Sequence, residues 1–506
     1  MDVESLPTSD SSISSINKVI QTDGIDIHSA HLKRPELLDK LSELSTQYRF
    51  VRLTSPAASG KSSLLKLYQH TFNETTKVIW ISCLSDKSCF ELLASKGIDL
   101  ENCKYKESIR KQNTVVFFDD AQAKYAEGTF WTLLIKFSPT WLPNNFRFII
   151  SSTHLLSGGT ISPVEFKSLP ALNRSDFLLT SEESDEFLEL PGIGLPQQMR
   201  YEKVKQVLIR ECGGLIGALR QSIDSLQGRF AKDSQPSETA LLQHFLSNDI
   251  LSYMARCFGS AHSKPIGNDF KMFLKKIFVD DKLFLDGLTN EQDDDSYLTL
   301  KKAGILVKFP DSTFGFSSQL AKRYYFKWVF PNRSKTAPSS LQELIRNVVS
   351  NMSSTVLKNC TLPGDLPKEA VFQHLFMEGL ALYTPPSCSI CPELSKIFPS
   401  NTNLNAQQTI PGEIDFYLNG GLRWGIELLI NGAGISEHIS RFTPPNGKYV
   451  LLNVKDYAVV DFRRNESGQP SKHPNRISVF FKNDDYSVAR CVFNEVPTVF
   501  SINLAN

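Results

Sequence analysis

Residues 50–68 read FVRLTSPAASGKSSLLKLY: a short apolar run, a loop of small residues, then a stretch with Leu64, Leu65, Leu67 and Tyr68 at helical spacing. The loop is G-x-x-x-x-G-K-[ST] with Ser55 in place of the first glycine. A loop of this kind needs a strand before it and a helix after it. Its backbone N–H groups then surround phosphate oxygens at a helix N-terminus. Gly60 allows close backbone approach, Lys61 would reach the β- and γ-phosphates, and the Ser62 hydroxyl would hold Mg²⁺. Ser55, Ser59 and Ser63 complete the loop residues assigned to the nucleotide, ATP or GTP.

That commitment extends along the chain. Apolar runs at 50–53, 78–82, 115–118, 148–151 and 164–169 alternate with helical patterns, the rhythm of a parallel α/β sheet. The third run, TVVFFDDAQ, ends in two acids. Asp119 would hold Mg²⁺ through water, and Asp120 would polarise the attacking water. The fourth, RFIISSTH, ends in Ser151, Ser152 and Thr153. A sensor hydroxyl is expected there, and Ser152 is assigned to the nucleotide.

At 506 residues the chain has room for three or four domains. No run of 18 apolar residues exists, so no membrane partner is expected. Lys+Arg 55 against Asp+Glu 54 excludes nucleic-acid binding by bulk charge, and any DNA contact must be local. Nine scattered cysteines suit reduced thiols in a cytoplasmic or nuclear setting. Cys388 and Cys391 form the only CxxC pair; as loop cysteines they need no zinc. The opening residues are acidic and Ser-rich with no secretory signal pattern.

The expected fold class is α/β multidomain. It comprises a flexible lead-in (1–33), a parallel-sheet P-loop NTPase core (34–170), a helical lid (171–238), a winged-helix-like region (239–333) and a restriction-endonuclease-like domain (341–506). In the lid, CGGLIGAL resembles the GLPLAL-like turn of signal-transducing (STAND) P-loop ATPases. Strands at 305–309 and 314–317 around PDST fit a wing that braces rather than reads DNA. PNRSKTAPSS (331–340) reads as the clearest linker.

The C-terminal domain carries a second chemistry. Helix 368–382 precedes PGEIDFYLNGGLRWGIELLINGAGISEHISRF. A three-residue loop at 419–421 would pair Leu418 with Leu422 and put Asp415 opposite Gly425. Glu427 then lies diagonally on the same face, close enough for both acids to share Mg²⁺. Paired acids at a hairpin between two helices are the PD-(D/E)XK nuclease layout. Glu369 and Gln373 at i and i+4, with Glu378 as alternative, could add a helix ligand. The motif lysine is replaced by Leu429. Its cation can come from His438 and Arg441, which share a helix face, or from Lys455; alternatively Arg441 merely pairs with Glu437. Residues 341–506 carry 14 Lys/Arg against 15 Asp/Glu, so there is no broad phosphate-tracking surface.

The succession GKSS, VVFFDDAQ, CGGLIGAL, LKKAGIL, GEIDFYL, WGIELL, EHISRF and KDYAVVDFR resembles Crinkler effectors of filamentous fungi and oomycetes. It is most similar to the Crinkler–RHS type, which joins a STAND-like P-loop NTPase to a PD-(D/E)XK nuclease, from about residue 34 onward. The resemblance implies a secreted virulence effector acting in a host cell, commonly its nucleus, with DNA cleavage regulated by the NTPase. A host protein partner and a nucleotide-dependent oligomer are compatible with it. It makes Asp415 and Glu427 the metal-binding acids and Glu369 or Gln373 the helix ligand. Lys61, Ser62 and Asp119 would hold nucleotide and Mg²⁺. The family's ubiquitin-like header with its LFLAK-type motif has no counterpart in the opening residues.

Overall fold

A computed structural model describes residues 24–154, 168–259, 268–280, 283–284, 291–302, 305–309, 311–361, 365–392, 414–432, 434–444, 447, 449–464, 473–481, 485–493 and 498–505. Helix α1 (Pro35–Gln47) leads into β1 (Phe50–Thr54), the phosphate loop and α2 (Lys61–Phe72). With β2 (Thr76–Ser82), β3 (Asn113–Asp119), β4 (Phe146–Ser152) and β5 (Ala171–Asn173) they form a five-stranded parallel sheet, ordered β2–β3–β4–β1–β5.

The apolar runs are continuous because both faces of this sheet are covered. Val116, Phe118, Phe148 and Ile150 point into one core with Phe130 and Trp131. Their neighbours Val115, Phe117 and Ile149 point into another with Leu64, Leu65 and Tyr68. The strands' carboxyl ends therefore gather Thr54, Asp119 and Ser152 along one edge, where ligands of such sheets bind. Of the expected fifth run, 164–167 lies outside the described residues. The fifth strand is Ala171–Asn173, aligned on β1 through Arg52↔Ala171.

Helices α3 (Glu202–Cys212) and α4 (Ile216–Arg229) form a hairpin whose joint, Gly213 and Gly214, is left-handed. After α5 (Glu238–Phe245) come α6 (Asn268–Asp280), β6 (Leu283–Phe284), α7 (Glu291–Lys302), β7 (Leu306–Lys308), β8 (Thr313–Phe316) and α8 (Gln319–Val329). The three strands pair antiparallel in the order β6–β8–β7.

The further domain is a seven-stranded mixed sheet behind helix α9 (Glu369–Tyr383). In order it holds β9 (Ile390–Pro392), β10 (Phe416–Leu418), β11 (Trp424–Ile430), β12 (Asp456–Arg463), β13 (Arg476–Phe481), β14 (Val488–Phe493) and β15 (Thr498–Asn503). Helix α10 (Ile435–Ser440) crosses between the parallel strands β11 and β12. Phe372 and Phe376 of α9 stack on Phe462 and Phe416, fixing the helix on one sheet face.

Three expectations change. The hairpin register is Phe416↔Ile426, Tyr417↔Gly425 and Leu418↔Trp424, so the loop is Asn419–Arg423 rather than three residues. The slip is two residues, which preserves the face; Asp415 comes level with Glu427 itself rather than with Gly425. Second, the linker is anchored. Arg333 donates to Thr384 Oγ1 at 2.7 Å and Cys388 O at 3.0 Å, and Ser334 N donates to Leu382 O. Third, part of the expected lead-in is anchored to the body of the protein. Leu32 is buried, Ile25 and Ile27 lie against the sheet core, and Lys66 donates to Ile25 O. One apolar cluster runs from Leu32 through helices α3, α4, α5, α6 and α8 to Leu504.

Candidate nucleotide site and acidic hairpin

The turn from β1 into α2 supplies the first site. Its left-handed residues are Ala58 (φ 58°) and Gly60 (φ 94°); Ser55 is not among them, so the glycine missing there is not needed for the turn. Ser55 and Ser59 are buried, and neither hydroxyl has a hydrogen-bond partner. Two orphaned hydroxyls in a phosphate loop fit phosphate oxygens. Lys61 is folded back, with Nζ donating to Ser55 O at 2.8 Å and Pro56 O at 2.9 Å. Burial lowers its pKa to about 8 against the pull of Asp120 and Asp119.

The Asp119 carboxyl is buried and pushed up by that burial, while the Ser62 and Ser151 hydroxyls draw it back. Ser62 and Asp119 are thus already together, as joint holders of a nucleotide's Mg²⁺ must be. The hydroxyl beside Asp119 is Ser151. Ser152, the residue assigned from sequence, turns its hydroxyl to His154 O at 2.9 Å, because alternate strand residues face opposite ways. Asp120 (φ 55°) accepts from Gln122 Nε2 at 3.0 Å, and Gln122 Oε1 accepts from Thr153 N at 3.1 Å. Gln122 therefore ties the acidic turn to the end of β4.

A cavity of about 840 Å³ opens over this loop, lined by Gly60, Lys61, Ser62, Ser63, Asp120 and Gln122. That is room for a nucleoside triphosphate. Its other walls were not legible in the motif: Gly24–Asp26 from the N-terminal segment, Gly217 and Arg220 from α4, Arg256 from the segment after α5, and Tyr325 from α8. Helix α4 touches the loop itself. Gly217 N donates to Ala58 O at 2.9 Å, and a Cβ at Gly217 would meet Ala58 Cβ at 2.4 Å.

The second site is the hairpin. Asp415 Oδ1 accepts from Gln373 Nε2, and Oδ2 from Leu428 N, both at 2.6 Å. Gln373 Nε2 also reaches Glu369 Oε1 at 3.2 Å. Burial raises the Asp415 pKa well above the usual carboxylate range, with Glu369 and Glu427 adding to it. Glu427 is fully buried. Its Oε2 accepts from Arg441 Nη1 at 3.0 Å and bonds His438 Nδ1. Arg441 also bonds Glu437 Oε1 at 2.9 Å, so the surface pair and the buried one coexist.

His438 and Arg441, two candidates for the cation that replaces the motif lysine, both lie at Glu427, while Leu429 is buried and apolar. Lys455 is not brought in. It precedes β12 by one residue and donates to Gly421 O, whereas Glu427 pairs with Val459, roughly 13 Å further along the strand. Glu378 is likewise engaged elsewhere, with Lys275 at 3.0 Å. Cys388 and Cys391 are buried, and Cys391 Sγ donates to Leu246 O at 3.6 Å.

Among the described residues no three His, Cys, Asp or Glu side chains form a metal cluster. The pair Asp415 and Glu427 remains, and Glu427 Oε1 is buried without a partner. Two carboxylates with one orphaned oxygen fit Mg²⁺, which takes one or two protein carboxylates and fills its sphere with water and phosphate.

No family model matches the chain, and no curated protein matches it. Solved structures similar to it include a Walker-type ATPase of Pyrococcus abyssi (15% identity, 57% of this chain and 95% of that one, TM-score 0.37). Others are Cdc6p of Pyrobaculum aerophilum (10%, 58% and 93%, TM-score 0.31) and a RuvB variant of Thermotoga maritima (14%, 55% and 91%, TM-score 0.32). At these values the likenesses carry no argument about activity. The P-loop ATPase-like domain rests on its sheet and its loop. No helix among the described residues is long and apolar enough to cross a membrane.

Proposed function

We propose that this protein is a nucleotide-regulated, Mg²⁺-dependent DNA endonuclease in which a P-loop ATPase module controls a PD-(D/E)XK-like domain. The observation that carries the nuclease reading is Asp415 level with Glu427 across the hairpin, with Arg441 supplying the cation missing at Leu429. Gln373 and Leu428 N hold Asp415 in place, and His438 and Arg441 orient Glu427 through Oε2, leaving Oε1 for a ligand. Mg²⁺ held by Asp415 and Glu427 would supply a Lewis acid for the scissile phosphate and a water made acidic enough to attack at neutral pH. In the ATPase module, Lys61 and the loop N–H groups would bind the triphosphate. Ser62 and Asp119 would hold its metal, and Asp120, bridged by Gln122, faces the space where a water must be oriented. The resemblance to Crinkler effectors supports action in a host cell or its nucleus.

A second reading has an observation of its own. Arg441 already neutralises Glu427, as it would in a degenerate nuclease that binds nucleic acid or a host protein without cutting. Plasmid cleavage with Mg²⁺ or Mn²⁺, with and without ATP, separates the two. Nicking that Asp415→Ala abolishes establishes the nuclease, and Lys61→Ala reports whether nucleotide governs it. Cleavage surviving Asp415→Ala and Glu427→Ala, or no cleavage by protein that binds ATP, rejects it.

A further inference from the structure

The nucleotide cavity and the acidic hairpin lie in different domains, yet a line of hydrogen bonds carried by two helices joins them. At one end, Gly217 N near the start of α4 is bonded to Ala58 O in the phosphate loop, with no space there for a Cβ. Gly217 and Arg220 also line the cavity, so α4 contacts both the loop and whatever fills it. Farther along α4, Ser225 is about 12 Å from Gly217 at 1.5 Å per residue. Its hydroxyl lies 2.9 Å from His244 Nε2 on α5. The His244 ring is also held edge-on by Phe230, the residue that ends α4.

The C-terminal end of α5 then meets the hairpin. Asn419 is the first residue of the loop joining β10 to β11, and its Nδ2 donates to Gln243 O at 2.7 Å. Asn419 is buried, its backbone N donates to Ser389 O, and its Oδ1 accepts from Tyr417. The same stretch of carbonyls is gripped from the other side. Arg323 donates to Phe245 O and Ser247 O, and Cys391 to Leu246 O. Exposed helix-end carbonyls take whatever donors are near; here the donors come from the winged-helix region and the C-terminal sheet. The end of α5 is therefore fixed to the hairpin loop and cannot shift alone.

We propose that Asn419 is a positioning residue. It couples the register of the Asp415–Glu427 hairpin to nucleotide occupancy through α5 and α4. This rests on the proposed nucleotide site and names how that site regulates the hairpin. A nucleotide that presses on Gly217 and Arg220 displaces α4, α4 carries His244, and the α5 carbonyls move the Asn419 loop. Asp415, one residue before β10, and Glu427, on β11, are carried by the two strands that meet at this loop, so a small displacement changes their separation. Coupling of this kind is reciprocal: whatever nucleotide does to the hairpin, the hairpin does to nucleotide affinity by the same factor.

The test is hydrogen exchange on the full chain, nucleotide-free, with Mg²⁺–ADP and with a non-hydrolysable ATP analogue. Binding is measured in parallel by calorimetry. In the wild type, exchange in 416–430 is expected to change at least about fivefold between nucleotide states. In Asn419→Ala the change should fall below about twofold, while protection of the α2 segment by nucleotide persists. Ser225→Ala, which touches neither the cavity nor the hairpin, should also reduce the response. A purely structural role for Asn419 would speed exchange in 416–430 equally in all states and leave the nucleotide dependence intact. That result overturns the proposal, as does a wild-type hairpin indifferent to a nucleotide that calorimetry shows is bound. Absence of binding by calorimetry refutes the nucleotide site itself, and the coupling with it.

Discussion

The ion pair between Glu211 on α3 and Arg323 on α8 gives the sharpest stability prediction. The two groups are 3.1 Å apart, with side chains 3% and 4% exposed. Arg323 also donates to Phe245 O and Ser247 O. Arg323→Leu thus strands a buried carboxylate and weakens the support of two helix-end carbonyls. Leaving one partner of a buried pair unpaired costs about 3–5 kcal/mol, a large part of the 5–15 kcal/mol by which proteins are typically stable. Replacing both partners removes the charge problem, so Glu211→Leu with Arg323→Leu should recover most of the loss.

The pH dependence has a definite sign. Burial raises the Glu211 pKa above its ordinary 4.5, and Arg323 opposes that. A carboxyl raised in the folded state adds stability below its unfolded pKa and loses it as pH climbs through the folded one. Removing Arg323 lets the folded pKa rise further. The deficit of Arg323→Leu should therefore be smaller at pH 5 than at pH 8. Urea unfolding of wild type, single and double variants at both pH values reads all of this. A single variant losing less than about 1 kcal/mol, or a double variant no better than the single, would refute the argument.

Other expectations follow from the two sites. Burial lowers the Lys61 pKa to about 8, and a bound triphosphate needs it protonated. ATP affinity should fall about thirtyfold from pH 7 to pH 9.5 in calorimetry, and Lys61→Ala should bind weakly at either pH. Asp415 is raised by burial and by its acidic neighbours, so its contribution to stability fades as pH rises. Asp415→Asn should therefore raise the metal-free unfolding midpoint at pH 8 more than at pH 5, while abolishing cleavage. A side chain at Gly217 has no space against Ala58. Gly217→Val should cost lid docking about 1–3 kcal/mol, seen as release of a fluorescent ADP roughly 5- to 150-fold faster. Arg441→Leu strands Glu427 with His438 alone and should lower the thermal midpoint, an effect that Glu427→Gln relieves in the double variant.

Much of this was legible where local rules suffice. The phosphate loop and the acids after β3 follow from strand and helix periodicity. The position of His438 and Arg441 follows from their i,i+3 spacing, and both reach Glu427. The hairpin shows where such rules stop. Its face was readable because parity survives a two-residue slip, but its loop length was not. The five-residue turn places Gly420 (φ 79°) and Arg423 (φ 52°) in the left-handed region, and arginine is no signal for that conformation. At the end of β4 a polar run does not reveal which hydroxyl turns where: Ser152 donates to His154 O, and Ser151 lies toward Asp119. The cavity walls at Gly24, Arg220 and Arg256 come from segments far apart in the chain, and no local pattern announces them. Residues 24–33 carry too few apolar residues to announce themselves, and Ile25, Ile27 and Leu32 hold them by tertiary contacts.

The single apolar cluster from Leu32 to Leu504 bears on how such a chain can have been assembled. A module that keeps its own closed core can be cut out and spliced elsewhere without penalty. Here the same interior is shared by lid, winged-helix region and C-terminal sheet, and Arg333 pins the segment between the last two. A chain cut at 331–340 would leave both fragments with wet apolar surface, so neither half should fold alone as it does in the whole.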